Sequence, residues 1–165
     1  MDIEIQKKDM GSKNLDNTWK NLLIKLFTVQ RHAVLATTNG NVPYCSLMTF
    51  AVKDDLSQII LATPEKTEKF KNIKSNPQVS MLIDDRQNKA SDSEFSMAVT
   101  VLGRAKESSS PEQETVKGIF LTKNPYLDEF VQASTTRLIQ VDVDQYVVAR
   151  RFQEVTVINL PGKSD

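Results

Sequence analysis

Residues Pro43 to Asp84 read PYCSLMTFAVKDDLSQIILATPEKTEKFKNIKSNPQVSMLID, and the alternation of apolar runs and breakers in this stretch decides the fold. Runs rich in Val, Ile, Leu and Phe are bounded by turn signals at Lys53-Asp54-Asp55, Thr63-Pro64 and Asn76-Pro77, the pattern of short buried strands. Between the last two signals, EKTEKFKNIKS has the composition of a helix of one to three turns. The stretch therefore reads strand, turn, strand, short helix, strand.

Working outward, Ala33–Thr38 is a short strand, and Asn39-Gly40 marks a tight hairpin into a second strand from Val42. Before it, Trp19, Leu22, Leu23, Leu26 and Phe27 fall on one helical face, with Asn17 or Thr18 placed to cap the start. His32 then reads as a helix-end cation or a satisfied histidine rather than a ligand. Residues 1–14 are polar and read as a loosely ordered arm; residues 15–165 form the single domain. Downstream, Asp85–Ser93 is a polar loop, and Phe95–Ala105 is a long strand with a bulge or bend at Gly103. A helix capped by Ser110 and Pro111 runs to about Leu121. A second short helix after Asn124-Pro125 carries Tyr126, Leu127, Phe130 and Val131 on one face, and this pair seals one side of the sheet structure. Thr136–Leu160 supplies two or three further strands.

The chain has 165 residues, 39% hydrophobic and 25% charged, enough for one domain with a sizeable core. Lys+Arg and Asp+Glu both number 21, so no charge excess favours nucleic acid. No apolar run is long enough to span a membrane, and the polar N-terminus lacks a secretory h-region, so the expected location is cytoplasmic. Cys45 is the only cysteine and His32 the only histidine, which leaves no metal-ligand cluster and no disulfide; Cys45 reads as a buried strand thiol.

Several chemistries drop out. No G-x-G-x-x-G or Walker loop is present, and the lone histidine adjoins no Ser or Cys elbow. The acidic pairs Asp54-Asp55, Asp84-Asp85 and Asp142 with Asp144 sit at turns or strand edges and read as solvated charge. What remains is a site that binds an organic cofactor through strand backbone, hydroxyls and one or two cations, with catalytic residues unassigned.

The succession Gly40 to Pro43, Ser46 to Ala51, Thr63, Thr67-Glu68-Lys69 and Asn76-Pro77-Gln78-Val79-Ser80 resembles the FMN-binding split-barrel family typified by pyridoxamine 5'-phosphate oxidase. The resemblance implies a mainly β fold with flanking helices, an antiparallel split barrel with Greek-key connections, and a homodimer with the cofactor at its interface. It also implies FMN. Ser46, Leu47, Met48 and Thr49 would run beside the flavin, Ala62 and Thr63 would sit at its ribityl side, and Thr67 and Lys69 would hold its phosphate. Lys69 also has the plainer reading of a solvated helix lysine beside Lys66, Lys71 and Lys74. The chain departs from the family pattern at Ser46, Ala51 and Glu68, where the oxidase has cations, and at Ala98, where it has Gln. It also lacks the C-terminal Arg-x-His substrate element. Two functions follow: an FMN-dependent oxidoreductase of an unassigned small-molecule substrate or electron donor, or a non-catalytic module carrying flavin, deazaflavin or haem.

Overall fold

This computed structural model describes residues 9–151 and 154–160. Strands β2 (His32–Asn39), β3 (Val42–Val52), β4 (Gln58–Pro64) and β5 (Gln78–Asp84) fall between the breakers that the sequence supplies, with helix α2 (Glu68–Ser75) between the last two. β2, β3 and β4 form an antiparallel meander, after which the crossover through α2 returns β5 to the free edge of β2. Three hairpin-connected strands with the fourth beside the first make a Greek key. β6 (Ala98–Glu107) pairs with β5, and β7 (Thr136–Arg150) pairs with both β6 and β4, so six antiparallel strands close into a barrel.

The two strands expected from TRLIQVDVD and YVVARRF are one 15-residue strand as far as Arg150. Its first half is held between β4 and β6 and its second half between β6 and β8 (Glu154–Asn159), so three neighbours keep it continuous through the polar Asp142–Gln145. The expected bulge is present at Leu102/Gly103, where the β6–β7 register skips Asp144. Residues Asp9–Asn14, read from sequence as part of an arm, form β1, which runs parallel to β8. Residues 1–8 lie outside the described residues.

Alternating side chains fill the barrel. Leu35, Met48, Phe50, Leu61, Met81, Val101, Val141 and Tyr146 are all buried in one cluster, each large side chain worth about 1.5–3 kcal/mol over its exposed state. Helix α1 (Asn17–Val29) lays Trp19, Leu23, Leu26 and Phe27 into this cluster at the end of the barrel where β2 begins. Its cap is Asp16, whose carboxylate accepts from the Trp19 amide at 2.9 Å, not Asn17 or Thr18. Ile73 of α2 enters the same cluster at the end where β2 finishes, and Asn72 and Asn76 donate to the Thr37 and Thr38 hydroxyls at 3.0 and 2.8 Å.

A smaller cluster lies outside the wall. Helices α4 (Gln113–Lys123) and α5 (Asp128–Gln132) cover Ala51, Ile60, Ala62 and Leu138 with Val116, Phe120 and Val131, as expected of a helix pair sealing one side. Tyr126, expected on that face, is 57% exposed instead. It lies in a 3-10 turn, whose tighter winding rotates it away from the i, i+4 stripe. Ser110 and Pro111 precede the helix and do not cap it; α4 starts at Gln113 behind Glu112. A four-residue helix α3 (Asp92–Phe95) interrupts the expected β5–β6 loop.

Three local expectations are corrected. The β2–β3 hairpin pairs Asn39 with Val42, so its loop is Gly40-Asn41, and only Gly40 takes a positive φ, +55°. His32 does not end a helix: α1 stops at Val29, and His32 opens β2 in an exposed position opposite Thr49. Cys45 is exposed, because strand alternation puts it on the outer face and no helix among the described residues covers that part of β3.

Candidate functional site

β3 is eleven residues long, yet it pairs with β4 only from Phe50↔Leu61 to Val52↔Ile59. Over the remaining length, Val42–Thr49, it pairs with β2 alone, and β4 from Ala62 to Pro64 pairs with β7 alone. The two strands therefore part, leaving an open split in the barrel wall whose lips are Ser46–Thr49 on one side and Ala62–Thr63 on the other. Six of the eight residues that the sequence resemblance selects as cofactor contacts line this split.

Their side chains play different parts. Leu47 points outward and is 70% exposed, and Thr49 lies two residues on along the same face, half-buried. Met48 points into the core at 6% exposure and Ala62 lies under α4 and α5, so at these two positions only backbone can face a ligand in the split. Ser46 is half-buried, and its hydroxyl oxygen is buried with no hydrogen-bond partner among the described residues. A buried hydroxyl without a partner costs on the order of 1–3 kcal/mol.

The other two residues stand where the split meets α2. Thr67 is the residue preceding the helix, but its hydroxyl donates to Pro64 O at 2.9 Å and meets the Thr63 hydroxyl at 3.0 Å. With the side chain turned back in this way it does not cap α2, and the first-turn amides keep an open, electropositive end. Lys69, in that first turn, is half-buried, and its side chain takes part in no hydrogen bond or ion pair among the described residues. Lys71 and Lys74 on the same helix are paired, with Glu68 at 3.5 Å and Glu107 at 3.2 Å. The acids beside this end are neutralised in turn, Glu68 by Lys71 and Glu65 by Arg137, the strand partner of Thr63. The arrangement can hold an anion on backbone amides and one ammonium, with a threonine hydroxyl joining them where its proton turns away from Pro64 O or from the other threonine. Arg137 was not anticipated from sequence; its role depends on the β4–β7 register, which no local pattern encodes.

The fold and split have a known counterpart: the sequence matches the family described as pyridoxamine 5'-phosphate oxidase over residues 24–157. The chain belongs to that family. Among curated proteins no match is found. Similar solved structures include a haem-binding protein of Mycobacterium smegmatis, at 16% identity and a TM-score of 0.72 over 81% of this chain and 55% of that one. General Stress Protein 26 of Bacillus anthracis is 23% identical, with a TM-score of 0.62 over 78% of this chain and 92% of its own. A FAD-binding protein of Mesorhizobium loti is 16% identical, with a TM-score of 0.62 over 82% and 95%. At these identities the likeness is one of fold. This pyridoxamine 5'-phosphate oxidase relative spans just over half the length of the mycobacterial protein. Among the described residues no helix is long and apolar enough to cross a membrane, and no group of His, Cys, Asp and Glu is arranged to hold a metal.

Proposed function

We propose that the protein is an FMN-binding oxidoreductase that holds the flavin in the split between β3 and β4 and works as a homodimer in the cytoplasm. The observation that carries this reading is the coincidence of the split with an anion site: the lips offer strand backbone and the unpartnered Ser46 hydroxyl, and the open end of α2 with unpaired Lys69 lies where the split meets the helix. When bound, flavin supplies the redox chemistry. The chain's own residues hold and orient it: Thr63, Thr67, Lys69 and the α2 amides take the phosphate, and β3 backbone fixes the ring. The family relation supports the fold and the cofactor class. The missing Arg-x-His element argues for a substrate other than the oxidase's own.

A second reading is favoured by the charge inventory. Ala51 is buried under α4 and Glu68 is paired with Lys71, so neither site of a family cation supplies positive charge here. That deficit suits a non-catalytic module that carries flavin, deazaflavin or haem. Titration with FMN tests the main reading: flavin fluorescence is expected to quench and the melting temperature to rise, since a ligand that binds only the folded state must stabilise it. If saturating FMN produces neither change, the main reading is ruled out, and the absorption spectrum of the protein as purified separates flavin from haem.

A further inference from the structure

One side chain ties together the segments that meet at the open end of α2. Arg137 is the second residue of β7, opposite Thr63, and each of its guanidinium nitrogens is engaged. Nη1 donates to Ser134 O at 2.7 Å and to Thr136 O at 3.1 Å, where the chain passes from α5 into β7. Nη2 donates to the Glu65 carboxylate in the turn between β4 and α2, and Nε lies 3.4 Å from Glu107 at the end of β6. The Glu65 amide donates to Thr135 O at 2.9 Å, so backbone and side chain hold the same turn to the same segment. Glu107 in turn pairs at 3.2 Å with Lys74, in the last turn of α2. Positive and negative groups thus alternate from Lys74 through Glu107 and Arg137 to Glu65.

Glu65 is the member of this chain that bears on an anion. It stands two residues before Thr67, where α2 begins, so its carboxylate belongs to the turn that carries the electropositive end of the helix. A free carboxylate there would repel a phosphate and take up the favourable field of the helix end. Glu68 lies in the first turn as well, but its pair with Lys71 is open to solvent, with 44% and 66% of the side chains exposed against 33% and 30% for Glu65 and Arg137. Charges exposed to that degree are screened, whereas the Glu65 charge is felt more fully. We propose that Arg137 is a positioning residue of the anion site, which keeps the Glu65 carboxylate from opposing a phosphate monoester at the α2 end. The proposal rests on the flavin reading above for the identity of the ligand; the charge argument applies to any phosphate held there.

Flavin fluorescence titrations of the full chain test it, with FMN and with riboflavin, which has the ring but no phosphate. Arg137→Gln should weaken FMN binding about tenfold and riboflavin binding far less, since the uncovered carboxylate acts on the phosphate. Glu65→Gln should bind FMN more tightly than the wild type, and adding it to Arg137→Gln should restore wild-type affinity to within about threefold. An arginine that only braces the turn gives no rescue in the double variant and equal losses for both ligands, and either result overturns the proposal. Should Arg137→Gln fail to fold, Glu65→Gln alone decides: an affinity no higher than the wild type's overturns it as well. Inorganic phosphate supplies an arm without flavin, read as the rise in melting temperature over chloride at matched ionic strength, largest in Glu65→Gln, then wild type, then Arg137→Gln. That order in a wild type that binds no FMN sinks the flavin reading alone. FMN binding without that order sinks the Arg137 proposal alone, and the absence of both overturns the two together.

Discussion

At the scale of single residues, the lysines of α2 give the sharpest contrast, because Lys69 and Lys71 are two positions apart and so about 200° apart around the helix. Only one can face the split. Lys69→Ala is expected to weaken FMN binding about tenfold or more, the loss of a charge-assisted contact, while Lys71→Ala changes it less than twofold. Added salt should weaken wild-type binding more than that of the Lys69 variant, since it screens only the contact the variant lacks. Equal affinities in the two variants would make Lys69 a surface lysine. Lys123 invites a different measurement. Its ammonium donates to Phe27 O at 2.6 Å and Gln30 O at 2.8 Å and lies 3.6 Å above the centroid of the Phe50 ring, joining α4 to the end of α1 and to the barrel. Burial, and secondarily the charge of Arg31, push its pKa down to about 8 from 10.5. The folded state thus releases this proton more readily than the unfolded chain. From about pH 8 to 10.5 the unfolded state binds more protons, and this contribution to stability rises with pH. In urea unfolding, wild type should gain on Lys123→Met over that window by less than about 1.4 kcal/mol per pH unit, the limit for one group, since the amine is only half-buried. A wild-type curve parallel to the variant's would contradict the shift.

At the scale of elements, Gly103 shows how one residue permits the long strand pair β6–β7. A Cβ there would lie 2.4 Å from Asp142 O and 3.1 Å from Val141 Cγ1, and the first of these is backbone held in the ladder. Gly103→Ala is expected to cost about 2–4 kcal/mol, lowering the melting temperature by roughly 5–10 °C, as calorimetry would show; an unchanged melting temperature would mean that the bulge relaxes freely. The bulge was legible because a lone Gly inside an alternating run has few other uses. Helices α1 and α5 were legible from their apolar stripes, α2 from its composition, α4 from the turn residues ahead of it, and β2 to β5 from Pro and Asp breakers, whereas the four-residue α3 was not legible. The joining of β7 was not, because Asp142 and Asp144 look like a break until three neighbouring strands are known to hold the chain extended. The cap of α1 was misassigned by one or two residues, since Asp16, Asn17 and Thr18 are all competent and only geometry chooses Asp16. Family resemblance located Ser46–Thr49 and Ala62–Thr63, but nothing local in either strand says that the two part company there.

At the scale of the whole molecule, the helices are unevenly placed. α1 and α2 close the barrel ends and α4 with α5 covers the β3–β4–β7 side, but the outer face of β3, β2 and β5 has no helix over it among the described residues. That face carries Leu47 at 70% exposure, with Val34 and Leu82 half-buried beside it. An exposed apolar patch of this kind marks an interface, and a self-complementary pair about a twofold axis is the commonest way to cover one. A second copy seated here would also wall the split from outside, so assembly and cofactor binding should rise and fall together. Light scattering at micromolar concentration is expected to give twice 18.6 kDa for the wild type. Leu47→Glu should give the monomer and weaken FMN binding at least tenfold, because a carboxylate is buried unpaired at the contact. Val29→Glu, at a comparably exposed apolar residue on α1, should leave both unchanged. A wild type that runs as a monomer, or a Leu47→Glu monomer that binds FMN as tightly as the wild type, would show that the split holds its ligand without a partner.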